Sequence, residues 1–250
     1  AIATVIGQFF SMMVAIIAIF AKEHQVKIQI KGFKFDWNVV KDIYAVGFPS
    51  IVMQSIGSIM LIGFNAILAI ESSTAVAVLG AYFKLQSFVF MPVFGLNQGA
   101  MPIIGYNYGA RNKARLMETF KKAFIVALIV MGIGVLIFQL FPASLLKLFS
   151  ASPDMLKMGV PALRIISLCF LPAAFGIITS TLFQATGHGI YSLFSSLIRQ
   201  LICILPFAYI LMKIGGAALS WAAFPLAEIM GFAYSAIMLR HLYKTEISVL

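Results

Sequence analysis

Seven apolar runs dominate this chain: Ala1–Ala21, Ile43–Ile70, Ala75–Ile103, Thr119–Phe141, Lys157–Ala185, Tyr191–Met212 and Ala217–Leu239. Coiled as helix at about 1.5 Å per residue, each run reaches across the roughly 30 Å of hydrocarbon in a bilayer. Three are longer than a straight crossing needs, which implies tilt, bending or extension past the membrane. The chain is 62% hydrophobic and only 10% charged, with a mean hydropathy of +1.01. A water-facing exterior cannot be assembled from so few charges, whereas lipid accounts for both percentages. The fold class expected is therefore all-α, a polytopic transmembrane bundle of about seven spans.

Basic residues give the bundle a direction. The formal net charge is +10, and the positive residues sit in short connectors between apolar runs. Lys22, Lys27, Lys31, Lys34 and Lys41, then Arg111, Lys113, Arg115, Lys121 and Lys122, then Arg240 and Lys244 fall on one side. Only Lys147, Lys157 and Lys213 fall on the other, and the positive-inside rule places the richer side in the cytoplasm. The odd number of crossings agrees, since the first run then begins outside and the residues after Arg240 end inside. Topology signals facing an anionic leaflet explain this charge, and no nucleic-acid partner is expected.

Lys22–Asp42 is the longest and most polar connector, and it divides the chain into 1–21, 22–42 and 43–250. Its Ile28, Ile30, Phe33, Phe35 and Trp37 alternate with polar neighbours, which suits a segment lying in the headgroup layer with Trp37 as anchor. An edge-like β stretch is the less favoured alternative. Six runs follow, and six-helix units are what many transporters duplicate. The chain opens inside an apolar run, as a fragment of a longer protein would.

Cys169 and Cys203 lie inside apolar runs and read as small buried residues. His24, His188 and His241 lie in connectors and form no ligand cluster, so no metal or cofactor is expected. Pro49, Pro92, Pro102, Pro161, Pro172, Pro206 and Pro225 fall within or at the ends of spans. Each removes a helical hydrogen bond, which favours helices bending around a cavity over a static anchor. Gly57 and Gly63, Gly132 and Gly134, and Gly215 and Gly216 let helices approach closely. Polar side chains inside the spans, among them Gln54, Asn65, Gln98 and Gln184, either bond between helices or line a water-accessible cavity. Lys84, Arg164 and Arg199 are the three cations inside spans, and Glu228 is the acid deep in one. A bare carboxylate there is costly, so it should be paired, protonated or wet. Arg199 reaches a similar depth in the preceding run, and Lys84 is the other candidate partner.

The stretch Met91-Pro-Val-Phe-Gly-Leu-Asn-Gln-Gly-Ala-Met-Pro-Ile-Ile-Gly-Tyr-Asn-Tyr-Gly-Ala-Arg111 resembles the second-half loop of the MATE (multidrug and toxic compound extrusion) transporters. Ala3-Thr-Val-Ile-Gly-Gln8, Gly47-Phe-Pro-Ser50, Gln184-Ala-Thr-Gly-His188 and Trp221-Ala-Ala-Phe-Pro-Leu-Ala-Glu228 agree with it in order. The likeness runs along nearly the whole chain and is nearest the bacterial MepA-like branch, which implies a bacterial cytoplasmic (inner) membrane as the location. It implies twelve helices in two pseudo-symmetric lobes, with this chain carrying the sixth helix and the second lobe. It also implies export of cationic or amphiphilic small molecules in exchange for H⁺ or Na⁺. Some MATE proteins hold cation-site acids in the first and fourth helices of this lobe. Here Ile43–Ile70 offers only Gln54 and Asn65, and Lys157–Ala185 has no acid. The coupling ion is thus expected to bind mainly in the missing N-terminal six-helix lobe. Gln54, Asn65, Lys84, Gln98, Gln184, Arg199 and Glu228 are the substrate-cavity or coupling candidates.

Two other readings stand beside the exporter: a flippase for lipid-linked sugars, which calls for a more cationic cavity, and a non-transporting membrane scaffold. Catalysis is not expected, because zinc-ligand spacing, paired aspartates and a Gly-x-Ser-x-Gly turn are all lacking. The charge bias makes a direct prediction. Single cysteines placed within 22–42, within 105–118 and after Arg240 should resist an impermeant maleimide added outside intact cells. Strong labelling at two of the three positions would reverse the topology.

Overall fold

A computed structural model describes residues 2–21 and 35–250, and every regular element among them is helical. The chain divides into two units, Ala1–Asp42 and Ile43–Leu250. The first contains α1 (Ile2–Ala21), an apolar helix. Residues 22–34 of the connector lie outside the described part, whereas Trp37–Asp42 are already helical, as the beginning of α2 (Trp37–Ala69).

Within the second unit α2 is followed by α3 (Ser73–Gly109), α4 (Lys113–Leu140), the short α5 (Pro142–Lys147), α6 (Pro153–Ser167) and α7 (Phe170–Ala185). Then come α8 (Gly189–Leu197), a π-helical stretch Ile198–Cys203, α9 (Ile204–Ser220) and α10 (Ala223–Thr245). Side-chain oxygens fix several starts. Ser72 accepts from the Ala75 N–H, Asn112 from Arg115 and Ser152 from Met155, with Pro153 in the first turn where its missing N–H costs nothing.

Four helices are long and apolar enough to cross a membrane among the described residues, or five if α6 and α7 count as one bent span. The sequence reading of about seven adds α1 and α10. In α10 the apolar character is diluted by Glu228 and the basic residues of its last turns, and α1 contributes the shorter apolar helix Val5–Ile17.

The run Lys157–Ala185 is not one straight helix but α6 and α7, bent by 47°. Pro172 is the physical cause, because its ring crowds the carbonyl of Leu168, four residues earlier. The chain tightens there, Leu168 donating to Ile165 O (3.3 Å) and Cys169 to Ile166 O (3.0 Å). Pro206 acts on the next helix. The crowded carbonyl is that of Ile202, inside the π stretch, and the Ile204 N–H reaches back five residues to Arg199 O. Pro92 and Pro102, by contrast, sit within a helix that continues through both.

The run Ala217–Leu239 is entered through a kink and then interrupted by a turn. Gly215 and Gly216 leave helical geometry, Gly216 at φ +66° and ψ −165°, a region essentially reserved for glycine. The freed Ala217 N–H donates to the Glu71 carboxylate from the α2–α3 turn. A second turn at Trp221–Ala222 precedes α10.

Aromatic rings fill the interior. Trp221, Tyr82, Phe64, Phe138, Phe170 and Phe183 are fully buried, and Phe64 packs against both Trp221 (6.0 Å) and Phe224 (4.9 Å). Lipid tails are as apolar as these side chains, so close fit rather than expulsion of water holds the helices together. Gly134 shows how close that fit is. A Cβ added there would run into Val89 of α3 and come within 3.3 Å of Phe170 of α7.

At one end the chain ties itself together. The Tyr108 hydroxyl and His188 Nε2 (2.9 Å) both meet the Glu246 carboxylate, and Lys113 Nζ donates to Ser248 O at 3.0 Å. The 105–118 connector and the residues after Arg240, which the charge bias assigns to one face, are therefore neighbours.

The two α4 glycines give a paired test. Gly134→Ala should lower stability by about 1–3 kcal/mol through overpacking. Gly132→Ala, whose Cβ would meet nothing within 4 Å, should be neutral or gain a few tenths from helix propensity. Melting in detergent reads both, and equal melting temperatures for the two variants would refute this packing.

Candidate functional site

A cavity of about 650 Å³ opens inside the second unit, with walls from α2, α3, α7, α8, the π stretch and α10. Its polar groups are mostly neutral amides and hydroxyls: Gln54, Asn97 and Gln98, Ser180, Thr181 and Gln184, Ser195 and Ser196. Only two charged residues line it among the described residues, Arg199 and Glu228.

These two form the centre of the site. Arg199 Nη1 donates to Glu228 Oε1 at 2.8 Å, and the carboxylate side chain is 11% exposed against 23% for the guanidinium. Local sequence puts them together. Pro206 leaves the helix before it wound as a π turn, and Arg199 projects from that turn. Across from it, α10 has Gly231 one turn after Glu228, and a Cβ there would touch the Arg199 stem at 3.4 Å. A hydroxyl pair, Ser195 Oγ to Ser235 Oγ at 2.9 Å, ties α8 to α10 beside the pair.

A second cavity of about 500 Å³ backs onto the first. Arg199 and Glu228 line this one too, together with Gly57, Phe94 and Ile177, so the ion pair stands in the shared wall. The second cavity is aromatic: Tyr82, Phe83, Phe90 and Phe224 line it with Phe94. Tyr82 is fully buried, and its hydroxyl lies beside the Cys169 thiol with no nitrogen or oxygen partner among the described residues.

Of the seven residues singled out from sequence, five meet at the first cavity: Gln54, Gln98, Gln184, Arg199 and Glu228. Asn65 does not join them. Its amide bonds back to Leu61 O of its own helix at 2.9 Å, two turns beyond Gly57, the last α2 residue lining the first cavity. Lys84 does not join them either. It is exposed, with Nζ 5.8 Å from the Phe149 ring, and is no partner for Glu228. Helical phase explains this, since Tyr82 and Leu85 occupy the buried face of α3 on either side of it.

The turn at Trp221–Ala222 interrupts the run Ala217–Leu239, so Glu228 stands about 7.5 Å of helix rise into α10. Sequence reasoning treated Asn97 and the Ser180–Thr181 pair as generic polar residues of the spans. Asn97 adjoins Gln98 and its Oδ1 is buried without a partner, and that pairing of adjacent amides beside Pro102 was the available signal. Pro102 supplies no N–H to the Gln98 carbonyl four residues earlier, so backbone acceptor capacity is released at this wall.

The MatE family model matches residues 49–210 of the chain. The multidrug export protein MepA of Staphylococcus aureus (strain MSSA476) is 24% identical over 256 residues, covering 100% of this chain and 54% of the relative. The probable multidrug resistance protein NorM of Thermotoga maritima is 26% identical over 215 residues, 85% of this chain and 46% of its own. An outward-facing multidrug resistance MATE family transporter of the MOP superfamily superposes with a TM-score of 0.85 at 26% identity. That match covers 97% of this chain and 56% of the solved one. The chain spans about half the length of the relatives it matches.

Removing one partner of a buried ion pair strands the other charge at a cost of about 3–5 kcal/mol. Glu228→Gln should therefore lower the melting temperature markedly, and Glu228→Gln combined with Arg199→Gln should recover much of the loss. Additive losses in the double variant would show that the two side chains do not depend on each other.

Proposed function

Since the chain belongs to the MatE family, we propose that it forms the C-terminal six-helix lobe of a secondary active multidrug efflux antiporter. The lobe would export cationic or amphiphilic organic compounds in exchange for H⁺ or Na⁺, working against an N-terminal lobe in a bacterial cytoplasmic membrane. The observation that carries this reading is the amide-lined cavity with a single ion pair in its wall. Neutral hydrogen-bonding groups and aromatic rings accept many shapes of organic molecule without demanding one, as a broad exporter requires. Repeat-built transporters hold substrate between their two units, and this cavity belongs to one such unit.

The missing family acids bear on coupling. Ile43–Ile70 and Lys157–Ala185 contribute no carboxylate, so Glu228 is the only acid lining the cavity among the described residues. H⁺ or Na⁺ would then bind mainly in the other lobe, with Glu228 as the one coupling candidate here. A flippase for lipid-linked sugars is less well supported. Of the three cations in the spans, only Arg199 lines the cavity and it is already paired, while Lys84 lies over Phe149 and Arg164 bonds to Gln139 O at 3.3 Å.

Ethidium efflux from energised vesicles tests the proposal. The transporter carrying this lobe should expel ethidium when a pH or Na⁺ gradient is imposed. Gln98→Ala and Gln184→Ala should each slow efflux several-fold, up to about tenfold, equivalent to about 1.4 kcal/mol. Residues 1–250 expressed alone should give no resistance. Efflux that ignores both gradients, or resistance from 1–250 alone, would defeat the reading.

A further inference from the structure

We propose that Arg199 is a tethered counter-ion that an organic cation displaces, its guanidinium moving from Glu228 into the aromatic second cavity as the cation takes its place. The proposal rests on the reading of the lobe as part of a drug exporter and names the specificity device of that same cavity. The pair's position motivates it. Arg199 and Glu228 line both cavities, so a guanidinium released from the carboxylate has a second chamber directly beside it.

That chamber is chemically fitted to receive it. The faces of Tyr82, Phe83, Phe90 and Phe224 are of the kind on which a planar guanidinium stacks. The Tyr82 hydroxyl, buried beside the Cys169 thiol and with no nitrogen or oxygen partner among the described residues, supplies an oxygen to accept from it, and the side-chain amides of Gln86 and Gln200 supply two more. A thiol is a weak hydrogen-bond partner for a phenol, so a guanidinium arriving there would gain a stronger acceptor than Cys169 can match. The backbone allows the motion. Arg199 projects from a π turn rather than from regular helix, and the Cβ-free Gly231 opposite leaves its stem unobstructed.

The consequence is selection by charge. With Arg199 in place Glu228 is neutralised, and the amide cavity has no free negative charge to attract small inorganic cations. A ligand gains the carboxylate only by also gaining enough contact along the amide and aromatic walls to drive the guanidinium out. Bulky monovalent cations meet both conditions. An uncharged ligand of the same shape would leave the pair closed.

Binding of tetraphenylphosphonium and of uncharged triphenylphosphine oxide to the purified transporter carrying this lobe tests the exchange. Tyr82→Phe should weaken tetraphenylphosphonium about fivefold or more and leave the oxide unchanged, because the receiving oxygen matters only when Arg199 moves. In an Arg199→Gln background tetraphenylphosphonium should bind more tightly than in the parent, and Tyr82→Phe should then have no effect. Equal weakening of both ligands by Tyr82→Phe, or a Tyr82→Phe effect that persists without Arg199, would overturn the exchange while leaving the exporter reading intact. If Arg199→Gln fails to fold, the comparison of the two ligands on Tyr82→Phe alone decides. Failure of the parent protein to bind either ligand would overturn the exporter reading together with the exchange.

Discussion

Hydrocarbon offers no hydrogen-bond partner, so a chain immersed in it must satisfy its own backbone. That constraint explains why the described residues form helices, and it also explains where the irregularities fall. Three departures from regular helix in the second unit have a named cause. Pro172 breaks α6 from α7, Pro206 leaves a π turn before α9, and Gly215–Gly216 part α9 from its last turn. The π turn among them carries Arg199, and Pro102, inside an unbroken helix, frees the carbonyl of Gln98, so both border the cavity wall. Irregular backbone at membrane depth is tolerated where it borders a polar space, and here the polar space is the amide-lined cavity.

The ion pair in that wall follows the same economy. An isolated carboxylate or guanidinium would be expensive away from water, and pairing at 2.8 Å offsets the expense without abolishing it. A pair held this way adds little net stability compared with an apolar substitute, yet it resists the loss of either member alone. Such a group is a poor structural cement and a good exchange element. Its energy depends on having some opposite charge in place, whichever molecule supplies it.

Much of this was legible in the sequence. The seven apolar runs and the charge bias needed only length and counting, and similar depth in consecutive runs made Arg199 one of two candidate partners for Glu228, with Lys84 the other. Two candidates stand apart from this cavity. Lys84 was chosen by depth and Asn65 as a polar residue within a span, but a helix has a facing direction as well as a depth, and Lys84 lies between the buried Tyr82 and Leu85. The bend at Leu168–Cys169 was readable in kind from Pro172 but not in angle, since packing of the flanking helices sets the 47°. The aromatic second cavity left no trace in linear order. Tyr82, Phe83 and Phe90 come from α3 and Phe224 from the start of α10, brought together only by the fold.

Under the proposed function, the composition of this cavity divides the labour between two lobes. Amides and hydroxyls bind by hydrogen bonds that reorient with each ligand, and they hold no proton or metal ion firmly at neutral pH. A site built from them discriminates weakly among organic molecules and barely at all among coupling ions. The single carboxylate could add ionic coupling, but it is engaged by Arg199 in the conformation described here. An exporter needs both broad substrate acceptance and a titratable or ion-binding centre. This lobe is suited to the first, and its missing family acids shift the second toward the partner lobe. The Arg199–Glu228 pair is then the point at which the two tasks can communicate. A charge arriving in the cavity must alter that pair, and altering it changes how the π turn of the α8–α9 helix packs against α10.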